Sequence, residues 1–233
     1  MAYTSDREGF DALYWQPVDG GPAERLTQGE AGVRQRPDSW SAKGPRLAFR
    51  RRTAESAGIF TLVPGGPPEP FHDQVGSAQY EAAFSPDGNW VAYTSTETGR
   101  DEVFIQPFPP TGAKVRVTRD GGTFPVWSAG GRELVYRRSF DAQLYRSQGA
   151  RLLSVPVTTE GGLGVGPERQ LAAEGFLVFH QFRDYDVTRD GTKLLLVYPA
   201  EGAPGPLRIS IVENWTEELR ARGPESLRRR GGA

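Results

Sequence analysis

One short pattern constrains this chain more than any other. Phe84-Ser85-Pro86-Asp87-Gly88 is followed at once by Asn89-Trp90-Val91-Ala92-Tyr93. An apolar strand ends, the chain reverses, and a second strand starts. Proline presets the first corner dihedral, Asp bonds its own backbone, and Gly takes the positive φ that other residues resist. Alone this predicts one antiparallel hairpin. Its recurrence predicts much more. Trp40-Ser41-Ala42-Lys43-Gly44 leads into Leu47-Ala48-Phe49, Trp127-Ser128-Ala129-Gly130-Gly131 into Leu134-Val135-Tyr136, and Val187-Thr188-Arg189-Asp190-Gly191 into Leu194-Leu195-Leu196.

The glycines that close these corners, Gly44, Gly88, Gly131 and Gly191, lie 44, 43 and 60 residues apart. A four-stranded propeller blade takes about 40–45 residues, which the first two intervals match. The third interval implies insertions, placed at 139–150 and 158–168. Gly161-Gly162-Leu163-Gly164-Val165-Gly166, within the second, fails the dinucleotide-binding spacing because Pro167 follows, and it reads as a loop. Gly44, Pro86, Asp87, Gly88, Gly131, Asp190 and Gly191 are therefore expected to be structural turn residues. A catalytic residue is needed once, whereas a turn former is needed in every repeat.

The remainder of each repeat fits the same plan. Third strands are expected at Leu13-Tyr14-Trp15, Ile59–Val63, Val103-Phe104-Ile105, Leu152–Val155 and Leu207–Ile211. Short fourth strands follow, clearest at Glu24-Arg25-Leu26-Thr27 and Lys114-Val115-Arg116-Val117-Thr118, which share an Arg-hydrophobe-Thr sequence. Ala2-Tyr3-Thr4-Ser5 matches Ala92-Tyr93-Thr94-Ser95, so the chain starts within a repeat. The fold class expected is all-β: a β-propeller of four-stranded antiparallel blades, about five represented, with the first and last partial. The propeller is assigned to 1–213, a short helix capped by Asn214 to 214–222, and a disordered tail to 223–233. The start within a repeat is read as a fragment of a longer protein in preference to a five-blade closure. Trp40, Phe84 and Trp127 are expected to pack between neighbouring blades.

Composition agrees. Hydrophobic residues make up 37%, and Gly 29 and Pro 19 point to short elements joined by many turns. Trp 5, Tyr 8 and Phe 12 are too many aromatics for a disordered chain. The net charge of −1 lacks the basic excess of a general nucleic-acid or anionic-membrane binder. Only Lys43, Lys114 and Lys193 are lysines, so arginine supplies the rest of the 28 basic residues. With Cys 0 there is no disulfide, thiolate metal site or cysteine nucleophile. The first residues lack the basic and apolar regions of a signal peptide, and no apolar run reaches the ~18 residues that span a bilayer.

Enzyme readings lack parts. His72 and His180 are the only histidines, and Gly-x-Ser-x-Gly is absent. No kinase catalytic loop or Gly-rich phosphate loop occurs. Asp184 and Asp186, two apart, are expected to be a solvated pair on one strand face rather than an acid/base or calcium site. No catalytic residue, metal or cofactor is assigned. If a ligand binds, the residues just before each inner strand should line the channel mouth. These are Arg36, Tyr80, Thr123 and Arg183, with Glu81, Phe124 and Asp184 beside them. Two arginines among aromatic neighbours suit a carboxylate-bearing or peptide ligand.

These corners resemble those of the TolB-like branch of bacterial β-propellers, over nearly the whole span from Ala2 to Val212. Only Phe84–Gly88 carries the full motif; the other corners lack the Pro, the Asp or both. Val212-Glu213-Asn214-Trp215-Thr216-Glu217-Glu218-Leu219 is similar to the end of propellers fused behind bacterial serine/threonine protein kinases. The resemblance implies a monomeric, non-catalytic sensor or scaffold module that binds a protein, a peptide or a small polar ligand. It is periplasmic if tethered to a membrane kinase and cytoplasmic otherwise. The alternative is the gating propeller of a prolyl-oligopeptidase-type serine peptidase; a third reading is a cytoplasmic scaffold without a small-molecule site.

Overall fold

A computed structural model describes residues 1–138, 150–171, 173, 176, 183–188, 191–198 and 208–213. Among these residues are nineteen short strands and one 3-10 turn, Ala129–Gly131. The first sheet holds β1 (Ala2–Ser5), β2 (Ala12–Trp15) and β3 (Glu24–Arg25). The second holds β4 (Arg34–Trp40), β5 (Leu47–Arg52), β6 (Ala57–Leu62) and β7 (Glu69–His72). The third holds β8 (Gln79–Phe84), β9 (Trp90–Ser95), β10 (Glu102–Pro107) and β11 (Val115–Arg116). In the fourth are β12 (Thr123–Trp127), β13 (Glu133–Arg138), β14 (Arg151–Thr158), β15 (Gly164–Val165) and β16 (Arg169–Gln170). The fifth has β17 (Tyr185–Val187), β18 (Lys193–Tyr198) and β19 (Arg208–Glu213). Every pairing of neighbours given a register is antiparallel, as the expected blades require. The helix expected at 214–222, the tail, His180, Asp190 and most of the insertion at 139–150 lie outside the described residues.

The glycine-rich insertion is more than a loop. Thr158 and Val157 pair with Gly164 and Val165, so the chain folds back on β14 before Arg169–Gln170 pairs further along the same strand.

The chain divides into two compact units, Met1–Pro125 and Val126–Ala233. In the first, each corner aromatic packs against the preceding blade. Trp40 joins Leu13, Leu47, Phe49 and Leu62, while Phe84 joins Ala48, Ile59, Phe71 and Ala82. Blade faces thus bury one another, and no blade could hide its apolar surface alone. In the second unit Leu134, Val135, Tyr136, Leu152, Leu194 and Leu196 are buried.

The four corners share one hydrogen-bond scheme. Ser41, Ser85, Ser128 and Thr188 each donate a backbone N–H across the turn, to Arg46, Trp90, Glu133 and Lys193, at 2.8–3.0 Å. Gly88 has φ 66°, and its N–H meets the Ser85 carbonyl at 2.8 Å. Asp87 Oδ1 takes the Asn89 N–H at 3.1 Å and the Ser85 hydroxyl at 2.5 Å. Burial disfavours the Asp87 carboxylate, but those bonds and nearby Lys43 outweigh it and hold its pKa below the ordinary value. Gly44 differs, with φ 144°, a positive value that glycine tolerates for want of a Cβ.

The shared threonine of the fourth strands has a common task as well. Thr27 Oγ1 accepts the Leu13 N–H, and Thr118 Oγ1 the Val103 N–H, both at 2.9 Å.

Candidate functional site

The end of each blade away from the corner is built differently. β4 and β8 each carry one extra residue there, between Pro37 and Ser39 and between Tyr80 and Ala83. Such bulges re-aim side chains and twist the strand. Among the described residues two that are not glycine take left-handed backbone, Glu81 at φ 62° and Phe124 at φ 57°. Each occupies the same place, three residues before its corner aromatic. That conformation costs on the order of 1–3 kcal/mol and persists only where surroundings enforce it.

The enforcement is visible. Glu81 Oε2 accepts the Thr94 hydroxyl at 2.9 Å and the Phe124 N–H at 2.7 Å, so one carboxylate oxygen ties two strained residues together. Thr94 belongs to a series that sequence reading missed. Thr4, Arg50, Thr94 and Arg137 hold one register position on the second strands, each following an aromatic residue. Thr4 Oγ1 donates to the Gln35 carbonyl at 2.7 Å. The Arg50 guanidinium lies 5.8 Å from the Tyr80 ring centroid. In the second unit Arg137 Nη1 donates to Asp184 Oδ2 at 2.7 Å, with both side chains buried. Each reaches toward the inner strand of the next blade, Thr94 by way of Glu81. Aligning the second strands by their aromatic residues, Tyr3, Phe49, Tyr93 and Tyr136, would have found the series.

The expected rim residues therefore fall into two sets. The first unit brings Arg36, Tyr80 and Glu81 near Arg50, while Thr123 is half-buried and Phe124 buried at the start of β12. The Tyr80 hydroxyl bonds Asp101 Oδ1, and burial, that carboxylate and Glu81 push its pKa far above the ordinary phenol value. The Arg36 pKa is lowered, by burial first and then by Arg50 and Arg34, against the opposing pull of Asp11 and Asp38. A cleft of about 400 Å³ opens at the same end of β4, lined in part by Asp6, Phe10, Asp11, Glu30 and Arg34.

In the second unit the expected solvated pair is split. Asp184 is buried against Arg137, whereas Asp186 is exposed, with Oδ2 3.6 Å from Arg183 Nη2. A charge without water needs a partner, and the buried guanidinium is that partner. Arg183 itself is exposed. Among the described residues no group of three or more His, Asp or Glu side chains converges as metal ligands.

Solved structures share this fold. The putative TolB of Agrobacterium tumefaciens matches with a TM-score of 0.58 and 20% identity, over 72% of this chain and 61% of that one. TolB of Acinetobacter baumannii matches at 0.67 and 17%, over 91% of this chain and 50% of that one. The tricorn protease matches at 0.57 and 14%, over 92% of this chain and 24% of that one. The chain thus spans about half to three-fifths of the TolB structures it matches. No family model matches the sequence, and neither does any curated protein. With its repeated antiparallel blades and these structural likenesses, the chain has the TolB-like β-propeller fold.

Proposed function

We propose that this propeller is a non-catalytic binding module, the sensor or scaffold part of a kinase-linked or envelope protein, and that its ligand is a protein, a peptide or a small polar molecule. The observation that carries this reading is the contrast between the two ends of the blades. Corners repeat one hydrogen-bond scheme, as scaffolding should. Opposite them stand the two left-handed residues Glu81 and Phe124, beside Arg36, Arg50 and Tyr80. Strained backbone and individual polar residues gather where a fold meets a ligand. The kinase link rests on the resemblance of Val212–Leu219 alone.

The test is affinity capture on the immobilised chain from a native lysate, with Arg36→Ala and Arg183→Ala beside wild type. Partners lost by either variant support the rim as the binding surface. Equal capture by all three removes the rim, and no capture by wild type removes the binding module itself.

A second reading, the gating propeller of a prolyl-oligopeptidase-type serine peptidase, draws support from the likeness to the tricorn protease. Neighbouring reading frames separate the two. An upstream kinase favours the first; a downstream domain with Gly-x-Ser-x-Gly favours the second.

A further inference from the structure

The scaffold hydrogen bonds run within each corner, but a cleft of about 410 Å³ lies between two of the corners. Its lining comes from the corner of the second blade and the end of β6, from the corner of the third blade, and from the chain after β10. Gly88 lets the two corners touch, since a Cβ there would lie 2.9 Å from Ser41 Oγ and 3.0 Å from Lys43 Cγ. The Lys43 stem is thus laid across the neighbouring corner, and its ammonium donates to Asn89 Oδ1. An ammonium has three protons to give. Among the described residues no acid joins Lys43 in an ion pair. Asp87 feels its charge, but the Asp87 oxygens are engaged by Ser85 and Asn89. Arg46, just before β5, reaches the same cleft. Its Nη1 donates to Thr61 Oγ1 at 3.1 Å and to the exposed Glu69 at 3.0 Å, while Nε and Nη2 take no hydrogen-bond partner among the described residues. Pro45, Val63, Phe108 and Pro109 supply an apolar wall. Phe108 is held there by its N–H on the Asn89 carbonyl at 2.7 Å and by rings centred 5.1 Å (Phe84) and 5.8 Å (Phe71) away. The lining therefore offers two cations and an apolar wall, with no acid.

We propose that this cleft binds a carboxylate carried on an apolar body: a small arylalkyl acid, or the C-terminal residue of a peptide that ends in an apolar side chain. It is a second site, at the corner end of the blades, and goes beyond the rim reading. The carboxylate accepts from the Lys43 ammonium and the spare Arg46 donors, bonds strengthened by charge on both sides. The apolar body lies on Phe108, whose ring is already packed on Phe71 and Phe84, so little is left to order when the ligand arrives. The volume suits a small molecule or one terminal residue. Other ligand chemistries fit less well. A phosphate gains nothing from the apolar wall, and a neutral apolar molecule would strip water from two cations without replacing it.

The probe is 3-phenylpropionate, titrated with the whole chain at low salt and followed by the broadening of its NMR lines. Controls are 3-phenylpropanamide, acetate and inorganic phosphate. Wild type should hold the probe about tenfold more tightly than any control, and added salt should weaken the complex. Lys43→Gln, at an exposed side chain, should weaken it about tenfold, as loss of a charge-assisted bond predicts, and Arg46→Gln likewise. Arg52→Gln, exposed and outside the cleft, should bind as wild type. No binding, equal binding of the amide or of acetate, tighter binding of phosphate, or insensitivity to both cleft variants overturns the proposal. A hexapeptide ending in Phe, with its carboxylate free or amidated, separates the two sources. Tighter binding of the free-acid peptide than of 3-phenylpropionate assigns the cleft to a chain terminus, and the reverse assigns it to a small acid; both support the site. The cleft and the rim share no residue, so a chain that holds 3-phenylpropionate but captures nothing through its rim, or the reverse, tells the failure of one reading from that of the other.

Discussion

The Arg137–Asp184 pair is the most exposed to refutation of the contacts described, because its burial makes the expected effect large. The side chains retain 2% and 0% of their accessible surface, and Nη1 lies 2.7 Å from Oδ2. Two charges about 4 Å apart attract by about 4 kcal/mol at the effective dielectric suited to protein sites. Desolvation offsets most of that while both partners are present, so the pair as a whole adds little. Removing one partner leaves the other buried and charged, at a cost of about 3–5 kcal/mol. Arg137→Met and Asp184→Asn should each cost that much, a large share of the roughly 5–15 kcal/mol that holds a domain folded. The double variant Arg137→Met/Asp184→Asn should cost far less than the sum, since it leaves no buried charge facing a missing counter-charge. Urea unfolding followed by far-UV circular dichroism gives all four corners of the cycle. Single variants below about 1 kcal/mol, or a coupling below about 0.5 kcal/mol, would show that the pair is not the desolvated contact argued for here.

Gly88→Val should cost about 1–3 kcal/mol, from φ 66° in a β-branched residue and a Cβ 2.9 Å from Ser41 Oγ and 3.0 Å from Lys43 Cγ; a melting curve equal to wild type would refute the corner geometry. Glu102 is buried, which disfavours its charge, but Thr118, Arg116, Arg100 and the Gly121 N–H outweigh that and hold its pKa below the ordinary carboxylate value. Its stabilisation is therefore complete above the unfolded-state pKa and is lost as pH falls through the lower folded-state value. Glu102→Gln should flatten the acid side of a stability–pH curve, and an unchanged slope would count against the assignment. Glu81→Ala should cost about 1–3 kcal/mol by removing the carboxylate that accepts the Phe124 N–H, and Glu81→Gln should cost less. Hydrogen exchange at Phe124 reads this directly: protection equal to wild type in the alanine variant would show that the bond contributes nothing.

The corners were legible because their causes are local and repeated. Proline, Asp and Gly act within a few residues, and four copies fix the register. The fourth strands were legible for a related reason, since Thr27 and Thr118 perform one task and the sequence repeats the residues around them. The rim was not. Its positions could be counted back from the corners, but Glu81 and Asp184, equivalent in register, meet different partners: a backbone amide and a guanidinium. Left-handed backbone at Glu81 and Phe124 leaves no mark in the sequence, because neither residue type favours it.

The β4–β5 ladder shows why one extra residue matters so much. Trp40 stands opposite Leu47, and an unbulged ladder counted from that pair would set Arg36 opposite Arg51 and Arg34 opposite Thr53. The bulge between Pro37 and Ser39 shifts the partners by one, and a one-residue shift carries a side chain to the other face of a sheet. Only then do Arg36 and Arg50 meet on one face, while Gln35 and Arg51 take the other, where Gln35 is buried and bonds the Asp11 and Gln28 carbonyls. The bulges in β4 and β8 thus uncouple the two halves of those inner strands. The corner half keeps the alternation that neighbouring blades require. The rim half is free to present whatever its own residues dictate, so blades that share a scaffold differ at that end.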